Sequence, residues 1–367
     1  MRRLREGLLN LALTLLSLTI FAAICEFGVF RLVWLASDVP ANDFIREVVR
    51  YAPNQRGVWR VRDEIAAPYA INAQGWNSGS GDYAIPRRPG VPRVAVVGDS
   101  YVEALQVPFD RSVGERLAAA LGNGANLPEV DRFGISGAPL SQYVQIAERE
   151  VVRYRPDWVV VPLVHNDFDE SYRFKPGRYT SSFLKFRVGD GQVLGDIAPE
   201  PWLPGRFDAL RRTATARFFL YRWQARPDFL IDLLLPQAQA AAGFAANADI
   251  VTILADRRTV EAVTEHAFGR LDAAARTIGA RVLLAMDADR FAIYRGQESL
   301  ASELNRLAAA AAARQRVPFV DLERAFMADW RTRRQRFDYD ADHHWNEHGH
   351  AVAAEAIAGA LRAEGWR

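Results

Sequence analysis

The chain has 367 residues, of which 50% are hydrophobic and 25% are charged, and its formal net charge is +2. That length allows one large domain with sizeable additions, and the composition is that of a globular protein rather than a disordered one. A nearly balanced charge with scattered arginines gives no indication of a nucleic-acid partner. Cys25 is the one cysteine, which excludes an internal disulfide and a zinc site built on thiolates.

A basic tip followed by a long apolar run begins the sequence. Residues 8–25 carry no charged side chain, and apolar residues resume after Glu26 and after Arg31. About 20 apolar residues in a helix cross the ~30 Å hydrocarbon core of a bilayer. Because basic residues before such a span stay in the cytoplasm, we expect residues 1–36 to form a cytoplasmic tip and a membrane anchor, with the rest of the chain outside the cytoplasm.

Three other interpretations of this segment stay open. A cleaved signal peptide usually has a shorter apolar core and small residues at its cleavage site. A lipoprotein signal requires a small residue before its cysteine, and Ile24 precedes Cys25 here. A buried helix of a soluble domain would account for the charges of Glu26 and Arg31.

Residues 37–92 are rich in Pro, Gly, Asn and Arg, which predicts a connector. After it, apolar runs of strand length alternate with segments of helical periodicity. The predicted strands are residues 93–97, 130–133, 157–163, 280–286 and 317–322, and the predicted helices are residues 112–121, 141–154, 259–278, 300–314 and 347–363. Continuous apolar strands separated by amphipathic helices indicate a parallel sheet covered on both faces. Such sheets bind ligands at the carboxyl ends of their strands.

Residues 168–255 interrupt this alternation and are predicted to be an insertion in a domain that spans residues 93–367. Within the insertion, residues 183–194 surround a Gly-Asp-Gly turn and predict a hairpin. Residues 210–223 predict a basic amphipathic helix with an aromatic stripe. Two interpretations of the stripe stay open: it packs on the core, or it forms a lid or a surface that lies on the membrane.

Polar or glycine-rich segments follow the predicted strands at the edge where ligands bind. Ser100 follows the first strand, a turn with Gly137 follows the second, and Asn166 follows the third; Asp342 and His344 come after the fifth strand and a short helix. Ser100 alone would be interpreted as a helix N-cap. An acyl-transfer site, however, needs a nucleophile, a base within hydrogen-bond reach, an orienting carboxylate and oxyanion donors, and these segments supply all four.

The order of these segments resembles the SGNH (GDSL-like) hydrolases over residues 93–363, in their membrane-tethered bacterial form. The resemblance implies a flavodoxin-like, three-layer α/β/α sandwich and esterase chemistry without a cofactor. It also implies site roles for five residues: Ser100 is the nucleophile, His344 the base, Asp342 its orienting carboxylate, and the Ser100 amide, the Gly137 amide and the Asn166 side chain form the oxyanion hole.

The chain departs from the family pattern in two segments. His165 stands where a glycine commonly precedes the asparagine, and a longer spacing in the last segment would require an acid at Ala341. His343 is a rival base, although Trp345 and the asparagine after it match the pair that usually follows the catalytic histidine. Three residues are candidate substrate contacts: Asp99, His165 and Trp345.

The sequence gives weaker support to other kinds of site. His344-x-x-Glu347-His348 matches an inverted zinc-protease pattern, but few residues remain downstream to supply a further ligand, so we expect no metal. The first strand is not followed by a Gly-x-Gly-x-x-Gly or Gly-Lys-Ser/Thr phosphate motif, which argues against nucleotide binding. A non-catalytic binding protein on the same fold stays an alternative.

The expected function is therefore that of a serine esterase in the inner membrane, with its catalytic domain facing the periplasm. Its expected substrate is an acylated carbohydrate or lipid. O-acyl transfer to an envelope polysaccharide, within a polysaccharide-modification machinery, is the alternative, because the same acyl-serine intermediate serves both reactions.

Overall fold

The computed structural model of the protein describes residues 2–122, 126–175, 179–205, 207–225, 244–245 and 248–366. The chain divides into two compact units. The first unit comprises Met1–Val39, Val58–Ala66 and Leu203–Pro236, and the second comprises Pro40–Gly57, Ala67–Trp202 and Gln237–Arg367.

The described strands are β1 (Asn42–Ile45), β2 (Val48–Tyr51), β3 (Arg56–Val61), β4 (Ile65–Ala70), β5 (Arg93–Gly98), β6 (Glu129–Gly134), β7 (Trp158–Leu163), β8 (Lys185–Gly189), β9 (Gln192–Ile197), β10 (Phe244–Ala245), β11 (Ala248–Asp249), β12 (Arg281–Met286) and β13 (Phe319–Asp321). The described α-helices are α1 (Arg2–Ile24), α2 (Ser100–Glu103), α3 (Val113–Leu121), α4 (Leu140–Arg149), α5 (Asp167–Glu170), α6 (Asp208–Arg211), α7 (Ala214–Arg217), α8 (Ile250–Ala255), α9 (Arg257–Arg276), α10 (Arg290–Arg295), α11 (Ala301–Gln315), α12 (Glu323–Arg333) and α13 (Glu347–Ala363).

A five-stranded parallel sheet forms the centre of the second unit. Its strand order is β13-β12-β7-β5-β6. Counted along the chain, this order is the flavodoxin-like 2-1-3-4-5, which reverses direction between its first and third strands. Those two strands are β5 and β7, and every residue of both is buried, as expected for strands covered on both faces. A ligand site is therefore expected at the carboxyl ends of β5 and β7.

Helices cover both faces of the sheet. On one face, α3 packs against α13, and their apolar side chains share a core with β5. On the other face, α9 packs against both α4 and α11. The predicted three-layer α/β/α sandwich with a parallel sheet is confirmed.

Most of the predicted elements agree with the structure to within a few residues. The predicted final helix coincides with α13. The Asn346 side chain accepts hydrogen bonds from the amides of His348 and Gly349, and this cap fixes where the helix begins. The predicted hairpin of the insertion is formed by β8 and β9. The predicted connector contains two further hairpins, β1–β2 and β3–β4.

The prediction of one continuous helix over residues 210–223 is wrong. The chain forms α6, then α7, and then a π-helix over Phe218–Arg222. The break lies at Thr213, whose backbone is extended (φ −63°, ψ 150°) and whose side chain accepts a hydrogen bond from the Ala216 amide. Threonine hydroxyls compete with the helical backbone for such bonds, which favours a cap over a helix interior.

The first unit contains the apolar N-terminal helix. Helix α1 continues as a π-helix over Cys25–Val33. Within the 31-residue segment Arg3–Val33, an 18-residue stretch has a mean hydropathy of 2.3 and no buried residue, so by length and composition the segment can be a membrane span or a signal sequence. Near its end, Phe30 packs with Ala36, Ala214 and Phe218 in a small apolar cluster.

Candidate active site

Ser100 lies at the carboxyl end of β5, where the strand order reverses. The preceding residue is Gly98, which lies close to the Val102 side chain. A Cβ at this position would be 2.5 Å from Cγ2 of Val102, so a larger residue would not fit without a shift. The Asp99 carboxylate accepts a hydrogen bond from the Tyr101 amide at 2.9 Å and caps α2. Ser100 is thereby the first residue of α2, and it is only 6% exposed.

His344 and Asp342 reach Ser100 from the loop before α13. The Nε2 atom of His344 lies 2.7 Å from Oγ of Ser100. On the other side of the ring, Nδ1 is hydrogen-bonded to the Asp342 carboxylate. The same carboxylate accepts the His344 amide at 3.0 Å, so the short Asp342-x-His344 spacing forms a closed turn. The structure brings the three side chains together in the order in which a nucleophile, a base and an orienting carboxylate act.

The charges of this group support proton transfer. Burial lowers the pKa of His344, but the Asp342 charge and hydrogen bond, together with Asp99 and Glu103, outweigh that effect and raise it above the ordinary value. Burial raises the pKa of Asp342, but its interactions with His344 outweigh burial and leave it below the ordinary value. Asp342 is therefore ionised at neutral pH, next to an imidazole whose affinity for a proton is increased.

Gly137 and Asn166 follow the two strands that flank β5. Gly98 is opposite Gly134 at the end of β6, and Val96 pairs with Val160 of β7, so the segments after all three strands lie at one edge of the sheet. Gly137 is exposed and has a φ of +73°, a conformation that favours glycine.

Asn166 is half-buried, and its Nδ2 donates to Oε1 of Glu170 at 3.3 Å. Ser100 begins α2, and the first N–H groups of a helix have no partner within that helix. The Ser100 amide is therefore a further candidate donor. The oxyanion roles of Ser100, Gly137 and Asn166 stay predictions.

Residues 96–352 match the GDSL-like lipase/acylhydrolase family. The chain belongs to this family. No curated protein matches the sequence.

Several solved structures are similar to this GDSL-like acylhydrolase. One is LAE5, an alpha/beta hydrolase enzyme from the metagenome of Lake Arreo, Spain, with 13% identity, a TM-score of 0.40, and coverage of 74% of this chain and 95% of that one. The lipase/acylhydrolase from Enterococcus faecalis has 13% identity, a TM-score of 0.38, and coverage of 75% and 97%. A catalytic mutant of Axe2, an acetylxylan esterase from Geobacillus stearothermophilus, has 14% identity, a TM-score of 0.38, and coverage of 74% and 94%.

His343 and His348, which lie in the same segment as His344, make different contacts from it. His343 is exposed, and its ring contacts Phe291 at a centroid distance of 5.1 Å. His348 pairs with Asp329 at 2.6 Å. Of the three, His344 is the histidine whose side chain contacts Ser100.

Sequence reasoning missed a buried network that holds both neighbours of His344. Arg290 donates to the His343 carbonyl at 2.7 Å and to the Tyr101 hydroxyl at 2.8 Å, and it forms an ion pair with Asp287. Asp287 in turn accepts the indole N–H of Trp345 at 3.0 Å. Asp287 directly follows β12, at the edge of the sheet where ligand sites form. That position is the signal in the sequence that could have indicated a role for Asp287 near the site.

The three candidate substrate contacts are buried in the structure. Asp99 is 4% exposed, and His165 and Trp345 are fully buried. Burial raises the pKa of Asp99 to about 7 and lowers the pKa of His165, whose Nε2 lies 3.1 Å from Oδ1 of Asn305. In this structure these side chains pack and form hydrogen bonds around the site, and a substrate contact for them stays a prediction.

Proposed function

We propose that this protein is a membrane-anchored serine esterase that deacylates a carbohydrate or lipid ester outside the cytoplasm. The observation that carries the proposal is the 2.7 Å contact between Oγ of Ser100 and Nε2 of His344, with Asp342 on the opposite ring nitrogen. A nucleophile and base within hydrogen-bond reach, with a third group orienting the base, are the signature of covalent acyl transfer. Membership of an acylhydrolase family agrees with this chemistry.

In the proposed reaction, Ser100 attacks the ester carbonyl carbon while His344 takes the serine proton at Nε2. The Asp342 carboxylate holds the ring and stabilises the imidazolium that forms. The Ser100 and Gly137 amides and the Asn166 side chain bind the oxyanion. His344 then returns the proton to the leaving alcohol, which leaves an acyl-serine. Finally, His344 deprotonates a water molecule, which attacks the acyl group, releases the acid and restores Ser100.

The proposed location is the inner membrane, with the catalytic domain in the periplasm. It is supported by the exposed apolar residues within Arg3–Val33 and by the arginines at the N-terminal end of that segment. A sugar hydroxyl that replaces water in the second half-reaction would convert the same site into an O-acyltransferase. The measurement that separates the two reactions is the ratio of free acid to acylated sugar when p-nitrophenyl acetate is offered with an excess of oligosaccharide.

The test of the proposed function is covalent labelling of the full-length protein with a fluorophosphonate probe. We expect one probe per chain, attached to the peptide that contains Ser100, together with turnover of p-nitrophenyl acetate. Probe bound to a different serine would contradict the assignment of the nucleophile. A folded protein that takes up no probe and turns over no ester would instead support the non-catalytic binding protein.

Asn166→Ala is expected to decrease kcat by about 10²–10³-fold, because loss of one oxyanion donor costs about 2.7–4 kcal/mol of transition-state stabilisation. Since the oxyanion forms only in the transition state, KM should change little. Steady-state kinetics with p-nitrophenyl acetate measure both constants.

Asn166→Asp is the shape-matched partner, since it removes the donor and keeps the side-chain outline, and its kcat should fall at least as far. A decrease in kcat of less than about tenfold in Asn166→Ala would remove this residue from the oxyanion hole.

A further inference from the structure

The end of the apolar N-terminal segment is joined to the insertion by a half-buried helix cap. The Glu26 carboxylate accepts the Ala214 amide at 2.8 Å and the Thr215 amide at 2.9 Å, which are the first N–H groups of α7. It also accepts the Thr215 hydroxyl at 3.0 Å and is paired with Arg31. Initial helix amides have no partner within their own helix and attract a carboxylate. Glu26 therefore fixes α7 against the end of the apolar segment.

Aromatic side chains continue this junction. The Phe30 ring stacks on Phe218 at a centroid distance of 4.5 Å and meets Phe219 edge-on at 5.5 Å. Trp34 stacks on Phe218 at 6.3 Å. Phe30 and Phe218 are buried by these contacts. The π-helix Phe218–Arg222 is thus packed directly against the last turns of the apolar segment.

The outer side of this junction is apolar and exposed. Phe219, Leu220 and Trp223 are 45%, 46% and 49% exposed. On the other side of the junction, Phe27 and Leu32 of the apolar segment and the following Trp34 are also exposed, at 68%, 76% and 59%. A soluble protein rarely leaves so many large apolar side chains exposed around one junction.

The two arginines of the same stretch are held by protein groups. Arg217 donates to Asp38 at 2.6 Å, and Arg222 donates to the Leu35 carbonyl at 2.6 Å and to Asp63 at 2.7 Å. Both side chains are 18% exposed. The exposed face is therefore formed by aromatic and aliphatic groups. Such side chains, tryptophan above all, are enriched where a bilayer meets water.

We propose that residues 218–223 form a docking collar that inserts Phe219, Leu220 and Trp223 into the interfacial region of the bilayer crossed by α1. The lipid bilayer is the occupant because the collar packs directly against the last turns of the apolar segment, and both present exposed apolar side chains. The inference rests on the membrane anchoring in the proposed function. It gives the inserted segment a role at the membrane: the collar and α1 together hold the first unit at the lipid surface.

The test places one fluorescent label at a time on the full-length protein in phosphatidylcholine–phosphatidylglycerol vesicles. Cys25 is the one native cysteine, so a Cys25→Ala background accepts single cysteines at chosen sites for an environment-sensitive nitrobenzoxadiazole label. The sites are Leu220 in the collar, Leu16 in α1, and Leu194 in β9 as a control. These three leucines are 46%, 56% and 61% exposed. Lipids that carry a nitroxide quencher at a shallow or a deep position report contact with the bilayer.

We expect loss of fluorescence at Leu220→Cys with the shallow quencher, at Leu16→Cys with the deep quencher, and no loss at Leu194→Cys. Quenching at Leu16→Cys without quenching at Leu220→Cys would overturn the collar and leave the anchor intact. Absence of quenching at Leu16→Cys would overturn the anchor on which the collar depends. Equal quenching at Leu220→Cys and Leu194→Cys would also overturn the collar, because contact with lipid would then not be specific to it. Fluorophosphonate labelling of each variant reports the esterase site separately.

Discussion

His344→Gln is expected to decrease kcat for ester hydrolysis by about 10⁶-fold, as removal of the base does in serine hydrolases with such a triad. Nε2 of His344 lies 2.7 Å from Oγ of Ser100, so its loss leaves the serine protonated and weakly nucleophilic. The adjacent His343→Gln should leave kcat nearly unchanged, because that side chain is exposed and contacts Phe291. Comparison of these two variants, whose substitutions lie in the same loop, tests which histidine is the base.

Ser100→Ala and the double variant Ser100→Ala/His344→Gln complete the measurement. Residues that act as one unit have non-additive effects, so the double variant should lose no more activity than either single variant. Thermal unfolding of each protein establishes that the fold is retained. Equal losses in His343→Gln and His344→Gln, or a double variant much slower than both singles, would show that the assignment of the base is wrong.

The sheet and its edge were predictable because their signals are local. The buried strands β5 and β7 are continuous apolar runs, and a parallel sheet gathers whatever follows its strands at one edge. Ser100 and Asn166 could be selected on that basis. Asp287, the first residue after β12, lies at the same edge, but an aspartate after a strand indicates no particular chemistry until its partner is known.

The partners were not predictable, because they join positions that are distant in the chain. Arg290 acquires its role from Tyr101 and from the His343 carbonyl. Likewise, the Glu26 charge appears in the sequence as an interruption of an apolar run, and only its bonds to the amides of Ala214 and Thr215 explain it. Side-chain periodicity contains no information about such contacts.

The break at Thr213 is a local feature that periodicity concealed. Residues 210–223 have the spacing of an amphipathic helix, but the Thr213 hydroxyl accepts the Ala216 amide and starts a new helix. The Glu26 carboxylate then satisfies the next free amides. The local cap at Thr213 therefore competes with a continuous helix, and the tertiary contact from Glu26 stabilises the broken form.

Asp342→Asn is expected to decrease kcat by about 10⁴-fold, because an amide in place of the carboxylate neither selects the reactive tautomer of His344 nor stabilises its charged form. The carboxylate is bonded to both Nδ1 and the amide of His344. Asp340→Asn is the control: its side chain is 80% exposed and paired with Arg336, so kcat should change little.

The pH profile of kcat/KM tests the contact between Asp342 and His344 independently of how far kcat decreases. His344 must be neutral to accept the serine proton, so kcat/KM decreases as the pH falls through the pKa of His344. Asp342 raises that pKa, which places the acid limb of the wild-type profile above the ordinary histidine value of about 6.5. In Asp342→Asn the raising charge is absent while burial still lowers the pKa, so the acid limb should move to lower pH. A limb that stays in place, or moves to higher pH, would mean that Asp342 does not control the ionisation of the base.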